Sequence, residues 1–395
     1  MLCHLPSMDR VRSPSAPPDD RSQLPESVAL LDGGKQAYPR MLLAIAKARR
    51  TVHLEAYSFT STGVGAVFIK VLGQAAKRGV GVRVQLDGWG SARSGRQVAS
   101  ALRAAGCAVF IHNRIRTLFI GRFGRNHRKI LLIDDEVAFL GGINIGDENV
   151  DKGVRIAWAD LALEIRGPQC ANLRRMIHSE PSDSLAGSLR LFICGPGGGW
   201  RLRRRYLKAF AMARQTIYLA HGYFLPDRGI VRAIARAARR GVRVKLLLAG
   251  RCDVPFARAA SRSLYRQLLR AGVVIHEWNE SVLHAKAVTV DGRRLLLGSF
   301  NLDPLSLANQ ETLVEVDDTT LVAQGEAWIA DHFQRSHSVT SVEAGTWVRR
   351  WVGDPVGRLI ARFVDIVARV IAGRWLRLSE SRRKAENASK PPSSG

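Results

Sequence analysis

The chain carries two copies of one folding unit, and this duplication restricts the fold more than any other feature of the sequence. Ala75-Ala76-Lys77-Arg78-Gly79-Val80-Gly81-Val82-Arg83-Val84 recurs as Ala237-Ala238-Arg239-Arg240-Gly241-Val242-Arg243-Val244. Each copy reads as a helix end, a glycine stop and a buried strand. The surroundings repeat as well. A strand (Thr51 to Phe59; Thr216 to Phe224) precedes a helix that ends at the repeated glycine. A second strand (Val82 to Asp87; Val242 to Ala249), a helix and a Gly-led strand (Gly106 to Ile111; Gly272 to His276) follow. Strands alternating with helices predict an α/β sandwich in each half. Two such halves in tandem predict a pseudo-twofold arrangement with a site at the junction. The 395 residues suffice for two domains of about 150 residues, each with its own core.

A second repeat lies inside the first. His127-Arg128-Lys129 is followed by Asp134 and by Gly141-Gly142-Ile143-Asn144. His284-Ala285-Lys286 is followed by Asp291 and by Gly298-Ser299-Phe300-Asn301. In both, Lys stands two residues after His, Asp seven after it and Asn seventeen after it. One such pattern is weak; two, in register with an independent repeat, form a strong signal. Along a strand, residues i and i+2 point to one face, so each His shares a face with its Lys. Asp291-Gly292 reads as a hairpin turn, and Asp134-Asp135-Glu136 can serve the same purpose. The return strand then brings Asn144 or Asn301 back beside the histidine. Two histidines can divide the work of nucleophile and general acid. Lys129, Lys286, Asn144, Asn301 and Ser299 can hold phosphate oxygens and stabilise charge developing at phosphorus. These cations and amides stand where a metal would otherwise be needed, so neither metal nor cofactor is expected.

These motifs resemble the HKD motifs of the phospholipase D superfamily, and the resemblance extends over roughly residues 28–340. Gly222-Tyr223-Phe224-Leu225-Pro226, Leu283-His284-Ala285-Lys286 and Gly298-Ser299-Phe300-Asn301-Leu302-Asp303-Pro304-Leu305-Ser306 are similar to bacterial cardiolipin synthases, the B type in particular. The resemblance implies two tandem phospholipase-D-like α/β sandwich domains and a covalent phosphatidyl-histidine intermediate. It implies one histidine as nucleophile and the other as acid, assigned as His127 and His284 although the pseudo-symmetry permits the reverse, with Asp134 and Asp291 in the catalytic set. It also implies an acidic residue downstream of each motif that orients a histidine. Glu311 matches that position in the second half and Asp160 in the first. Where many members have Ser, the first half has Gly142.

Residues 1–26, rich in Pro, Ser and Asp, are expected to form a disordered tail. The domains are expected at 27–190 and 191–342, with an amphipathic helix and basic tail over 343–395. In that last segment Asp354 suits an N-cap and Pro355 the first helical position. Arg358, Arg362, Asp365 and Arg369 form one stripe, opposite Val356, Ile360, Phe363, Val364, Val367, Val370 and Ile371. Trp347, Trp351 and Trp375 flank it as interfacial anchors would, which favours a membrane contact over the alternative of packing on the protein body. An insertion before the first motif mixes Arg114, Arg116, Arg122 and Arg125 with Leu118, Phe119, Ile120 and Phe123, which suits either a headgroup boundary or an ordinary exposed hairpin.

The net charge of +26 favours a polyanion, nucleic acid or an anionic membrane. The lipid-like motifs and the amphipathic C-terminus favour the membrane, with phosphatidylglycerol as substrate. No leader and no apolar run of spanning length is visible, and five cysteines without metal-ligand spacing suit a reducing compartment. The expected place is peripheral, on the cytoplasmic face of a bacterial inner membrane. The expected reaction makes cardiolipin by phosphatidyl transfer. A phospholipase D or a nuclease-type phosphodiesterase of the same superfamily is the alternative.

Overall fold

The two copies of the repeated segment end their helices in the same way. In a computed structural model, which describes residues 27–112, 124–153, 155–178, 182–253, 255–341 and 343, Gly79 and Gly241 sit at φ +88° and +89°. In both copies the amide three residues beyond the helix returns to a carbonyl of the last turn. Val80 N donates to Ala75 O at 3.2 Å and Val242 N to Ala237 O at 3.1 Å. This left-handed stop tolerates glycine at little cost and turns the chain straight into a strand.

The first half runs β1 (Ser27–Asp32), α1 (Gly33–Lys47), β2 (Thr51–Ala56), α2 (Val64–Lys77), β3 (Gly81–Asp87), α3 (Gly95–Ala104) and β4 (Ala108–His112). It continues with β5 (Ile130–Ile133), β6 (Val137–Gly141), β7 (Leu161–Arg166) and α4 (Gln169–His178). The second half runs β8 (Ser182–Ala186), β9 (Leu189–Cys194), α5 (Gly199–Met212), β10 (Thr216–His221), α6 (Arg228–Arg239), β11 (Arg243–Arg251), α7 (Pro255–Ser263) and α8 (Tyr265–Arg270). It ends with β12 (Val274–Val282), β13 (Lys286–Val290), β14 (Arg294–Gly298), β15 (Glu311–Val316), α9 (Thr319–Gln334) and β16 (His337–Ser338).

The sheets have the orders β1-β7-β6-β5-β2-β3-β4 and β16-β12-β11-β10-β13-β14-β15-β9-β8. Six strands correspond one to one: a parallel set (β2-β3-β4; β10-β11-β12) beside an antiparallel set (β5-β6-β7; β13-β14-β15). This is the expected α/β duplication. The hairpin β8–β9 pairs with β15, so the sheets part after α4 rather than at residue 190. The two leading strands are also shorter than expected, ending at Ala56 and His221. The first tail, the insertion up to Phe123 and the amphipathic C-terminal helix lie outside the described residues.

One face of each sheet is covered by its own helices, in clusters built around Phe68, Leu72 and Val84 in one half and Phe210, Ile234 and Leu246 in the other. The opposite faces meet, together with α4 and α9, in a third core. There Ile130, Leu132 and Leu140 pack with Trp278, Leu295, Leu297 and Ile329. Burial of apolar surface on this scale is the main force joining the halves. It sets the two hairpins β5–β6 and β13–β14 on either side of the junction.

Candidate active site

His127 and His284 lie just before β5 and β13, where the chain enters the sheet. Both line one cavity of about 960 Å³ at the junction of the halves. Their backbones are held by the other half. His127 N donates to Gln310 O at 3.0 Å and Gln310 N to Arg125 O at 2.8 Å. Likewise His284 N donates to Ala159 O at 2.8 Å and Ala159 N to Val282 O at 2.9 Å. Each acid-bearing segment thus pairs for a residue or two with the histidine segment of the opposite half.

The consequence is an exchange of acids. Glu311, from the second half, faces His127: both carboxylate oxygens lie 3.1 Å from its Nδ1. Asp160, from the first half, meets His284 Nδ1 at 2.6 Å. The expected orienting acids are therefore both in place, each on the histidine of the other copy. A carboxylate on Nδ1 leaves Nε2 as the nitrogen available for chemistry.

The acids differ in length, and their supports differ to match. Ser299 Oγ donates to Glu311 Oε2 at 2.5 Å and accepts from Thr312 N at 2.9 Å. With its hydroxyl so engaged, Ser299 positions the acid, which corrects the expectation that it holds phosphate. In the first half Gly142 occupies the matching place. A Cβ there would stand 2.2 Å from Asp160 Oδ1, so the shorter acid fills the volume that a serine side chain would need.

Lys129 and Lys286 are buried behind the histidines. Lys129 Nζ donates to the carbonyl of its own His127 at 2.8 Å, and Lys286 makes the same bond to His284. Lys129 also lies over the ring of Tyr57 at 5.0 Å, and Lys286 over that of Tyr223 at 5.9 Å. Asn144 and Asn301 line the cavity. Asn144 accepts from Ser58 N at 3.3 Å, whereas Asn301 Oδ1 is buried without a partner among the described residues.

Asp134 and Asp291 do not join this group. They sit at the far ends of the hairpins with φ of 53° and 55°. Asp134 accepts from the amides of Arg49, Arg50 and Thr51 at 2.7–2.8 Å. Asp291 accepts from Arg214, Gln215 and Thr216 at 2.7–2.9 Å. The expectation that they are catalytic is corrected: the repeated Asp ties each turn to the start of the neighbouring strand.

Several residues around the histidines lie outside the repeated His, Lys, Asp and Asn positions. Tyr57 sets its ring edge-on against His127 at 4.7 Å, while Trp158 and Tyr223 lie 5.3 and 6.0 Å from His284. Arg128, the middle residue of the first motif, bonds Glu55 at 2.9 Å and reaches across the junction to Gln310 Oε1 at 2.9 Å. It thereby braces the residue before Glu311.

The electrostatics describe a site prepared for an anion. Burial, then Lys129 and Lys286, hold His127 well below the usual histidine range. His284 is lowered by burial and Lys286, with Asp160 opposing. Burial and Lys286 bring Lys129 down to about 7. Burial raises Glu311 to about 7 despite Lys129. For Asp160 burial acts upward, but His284 and Lys286 outweigh it and the carboxyl is lowered. Packed cations weaken one another's hold on protons, and an anion placed among them restores it. Among the described residues no three His, Cys, Asp or Glu side chains cluster as a metal site.

Two copies of an α/β half, each bringing a carboxylate-bound histidine to one cavity and burying a lysine behind it, define the phospholipase-D-like class. The comparisons with known proteins agree. The family model described as "Cardiolipin synthase, PLD-like domain" matches residues 41–163 and 206–333, and the chain belongs to that family. It is 33% identical over 320 residues to cardiolipin synthase B of Escherichia coli K12, covering 74% of this chain and 76% of that one. It is 32% identical over 303 residues to a cardiolipin synthase of Geobacillus kaustophilus, covering 71% of this chain and 60% of that one. The crystal structure of phosphatidylserine synthase from Haemophilus influenzae shares the fold. Its TM-score is 0.67 at 15% identity, over 87% of this chain and 98% of that one.

Proposed function

We propose that the chain is a phosphatidyltransferase that makes cardiolipin from phosphatidylglycerol or a related phospholipid through a phosphatidyl-histidine intermediate. The observation that carries this reading is the pair of buried histidines, each held through Nδ1 by a carboxylate, on the walls of one cavity. Two such groups can serve both ends of an in-line displacement at phosphorus. In the proposed sequence, His127 Nε2 attacks the phosphorus of one phosphatidylglycerol. The P–O bond to the glycerol headgroup breaks, and that oxygen takes a proton from His284. The primary hydroxyl of a second phosphatidylglycerol then returns a proton to His284 and attacks phosphorus. The P–N bond breaks and cardiolipin leaves.

The difference between the two histidines supports this division. His127, pushed well down by burial and two lysines, is neutral and nucleophilic. His284 shares a 2.6 Å bond with the lowered, ionised Asp160, which favours its protonated form once a phosphodiester anion has entered. Lys129 and Lys286 stabilise the charge that develops on the phosphoryl oxygens. The chain is expected to work as a peripheral protein on the cytoplasmic face of the bacterial inner membrane. Among the described residues no helix is long and apolar enough to cross a membrane. The test is incubation of the purified protein with phosphatidylglycerol vesicles and mass spectrometry of the products. Cardiolipin with an equal amount of glycerol is expected; phosphatidic acid as the sole lipid product would overturn the transferase reading.

A further inference from the structure

The cavity is not alike on its two sides. Beside His127 stand cations: Arg125 donates to Tyr57 Oη at 3.2 Å and lies over Trp89 at 4.7 Å, and Arg93 is exposed next to it on the cavity wall. Beside His284 stand acceptors, with one cation among them, Arg155, whose charge acts on Glu148. Tyr223, edge-on to His284, donates its hydroxyl to Asp253 Oδ1 at 2.5 Å. The Glu148 carbonyl accepts from Trp158 N at 2.8 Å, and the Trp158 ring packs on His284. The side chains of Glu148 and Asp253 both line the cavity, as does Asn301, whose buried Oδ1 lacks a partner among the described residues.

Carboxylates and an amide oxygen accept hydrogen bonds and repel phosphate oxygens. A phosphodiester has no donor for them and is drawn to Arg93 and Arg125, away from the carboxylates. An alcohol with further donors suits them: Asn301 Oδ1 is buried and loses stability until a ligand supplies a partner, while the half-buried Glu148 and exposed Asp253 carboxylates have lone pairs to spare. The proton relay also places the alcohol here, since the leaving and the attacking oxygen both exchange a proton with His284. We infer that Asp253, Glu148 and Asn301 form an alcohol seat on the His284 side. It selects alcohols that carry a hydrogen-bond donor, hydroxyl or ammonium, on the carbon next to the reacting hydroxyl. Tyr223 acts as a positioning residue by fixing Asp253. This inference rests on the transferase reading and names the class of alcohol that reading leaves open.

The test is a competition within one reaction. Dioctanoyl phosphatidylglycerol serves as donor to the full chain, with deuterated glycerol, ethanolamine and 1-propanol at equal concentration as acceptors. The phosphatidyl products are ratioed by mass spectrometry. Glycerol is expected to exceed 1-propanol by roughly ten- to a hundredfold, as a site that bonds a substrate hydroxyl disfavours an analogue without one. Ethanolamine, whose ammonium stands on the same carbon, is expected to exceed 1-propanol as well, and failure to do so counts against the seat. Asp253→Asn combined with Glu148→Gln should bring the glycerol-to-propanol ratio close to unity. Tyr223→Phe should lower it by a smaller factor. Partial unfolding reduces all products together and leaves the ratios untouched. Equal use of the alcohols by the unaltered protein, or an unchanged ratio in the double variant, overturns the seat. If alcohol exchange is selective while vesicles yield no cardiolipin, the seat stands and the cardiolipin reading falls. Phosphatidic acid as the only product removes both.

Discussion

Lys129 gives up its proton more readily than a lysine in water, because burial and the Lys286 charge bring it down to about 7. An anion between the two lysines must raise that value, so binding and protonation are linked. The sign follows directly. Below the free value Lys129 is already charged, and affinity owes nothing to proton uptake. Above it each bound anion must draw in a proton. Affinity for dimethyl phosphate, whose single charge is constant from roughly pH 5 to 9, should therefore fall as pH rises through 7, by up to about tenfold per unit. Isothermal titration in buffers of different ionisation enthalpy checks this, and zero proton uptake at pH 8 would count against it. His127→Ala and His284→Ala should each lower turnover by about a thousandfold or more, while the chain stays folded. The aspartates Asp134 and Asp291 behave differently. Asp134→Ala removes an acceptor from three backbone amides and forces alanine to φ 53°. A loss of about 2–4 kcal/mol in stability is expected, with turnover per folded molecule retained; denaturant melts set beside active-site titration decide it. Spacing alone could not distinguish these aspartates from catalytic ones, since a turn duplicates as faithfully as a site. Ser299 was misplaced for a similar reason: its type suits phosphate, but Glu311 lies nearer.

At the scale of elements, the histidine motifs, the hairpins and the helix stops were legible in the chain because each is local. The pairing of acids with histidines was not. Glu311 follows the second motif in sequence, yet the short pairing of Asn126 with Gln310 delivers it to His127; Ala159 with Leu283 delivers Asp160 to His284. Nothing within a few residues of either motif signals this, because the contact depends on how the two sheets pack through their shared core. The rings of Tyr57 and Trp158 were silent for the same reason, and the segment 222–226, though it stood out, gave no sign that Tyr223 lies beside His284. The Gly142–Asp160 and Ser299–Glu311 pairs make the dependence testable. Gly142→Ser places a side chain where Asp160 now reaches His284, and Asp160 must swing away. The loss of its charge lowers His284 further, because Asp160 is what opposes burial and Lys286 there. Turnover should fall more than tenfold, with the basic limb of the kcat profile displaced to lower pH. Gly142→Ser combined with Asp160→Gly relieves the clash without restoring the acid. It should recover thermal stability but not activity; recovery of both would show that Asp160 has no part in orienting His284.

For the whole molecule, a net charge of +26 is a statement about the surface it meets. Two residues on the cavity mouth carry apolar side chains into solvent: Trp89 is 43% exposed and Leu305 48%. Arg93, Arg125 and Arg155 share that rim, so apolar and cationic groups ring the opening through which a lipid headgroup must pass. Near an anionic bilayer each Lys or Arg contributes about 1 kcal/mol, over a range limited by a Debye length of about 8 Å at physiological salt. Binding to phosphatidylglycerol vesicles should therefore weaken steeply between low and high salt, and sedimentation with vesicles measures it. If residues 355–373 meet lipid, they add a contribution that salt does not screen, since partial burial of aliphatic side chains is not electrostatic. Removal of the residues after 342 should then leave a salt-sensitive remainder of binding. Hydrolysis or transfer with a soluble short-chain diester should continue, because both histidines, both lysines and both orienting acids lie upstream. Phe363→Asp separates the two possible roles of that segment. If it meets lipid, vesicle binding at high salt falls while the melting temperature holds. If it packs on the body of the protein, the melting temperature falls and vesicle affinity of the remaining folded protein is preserved, and the segment is then no membrane anchor.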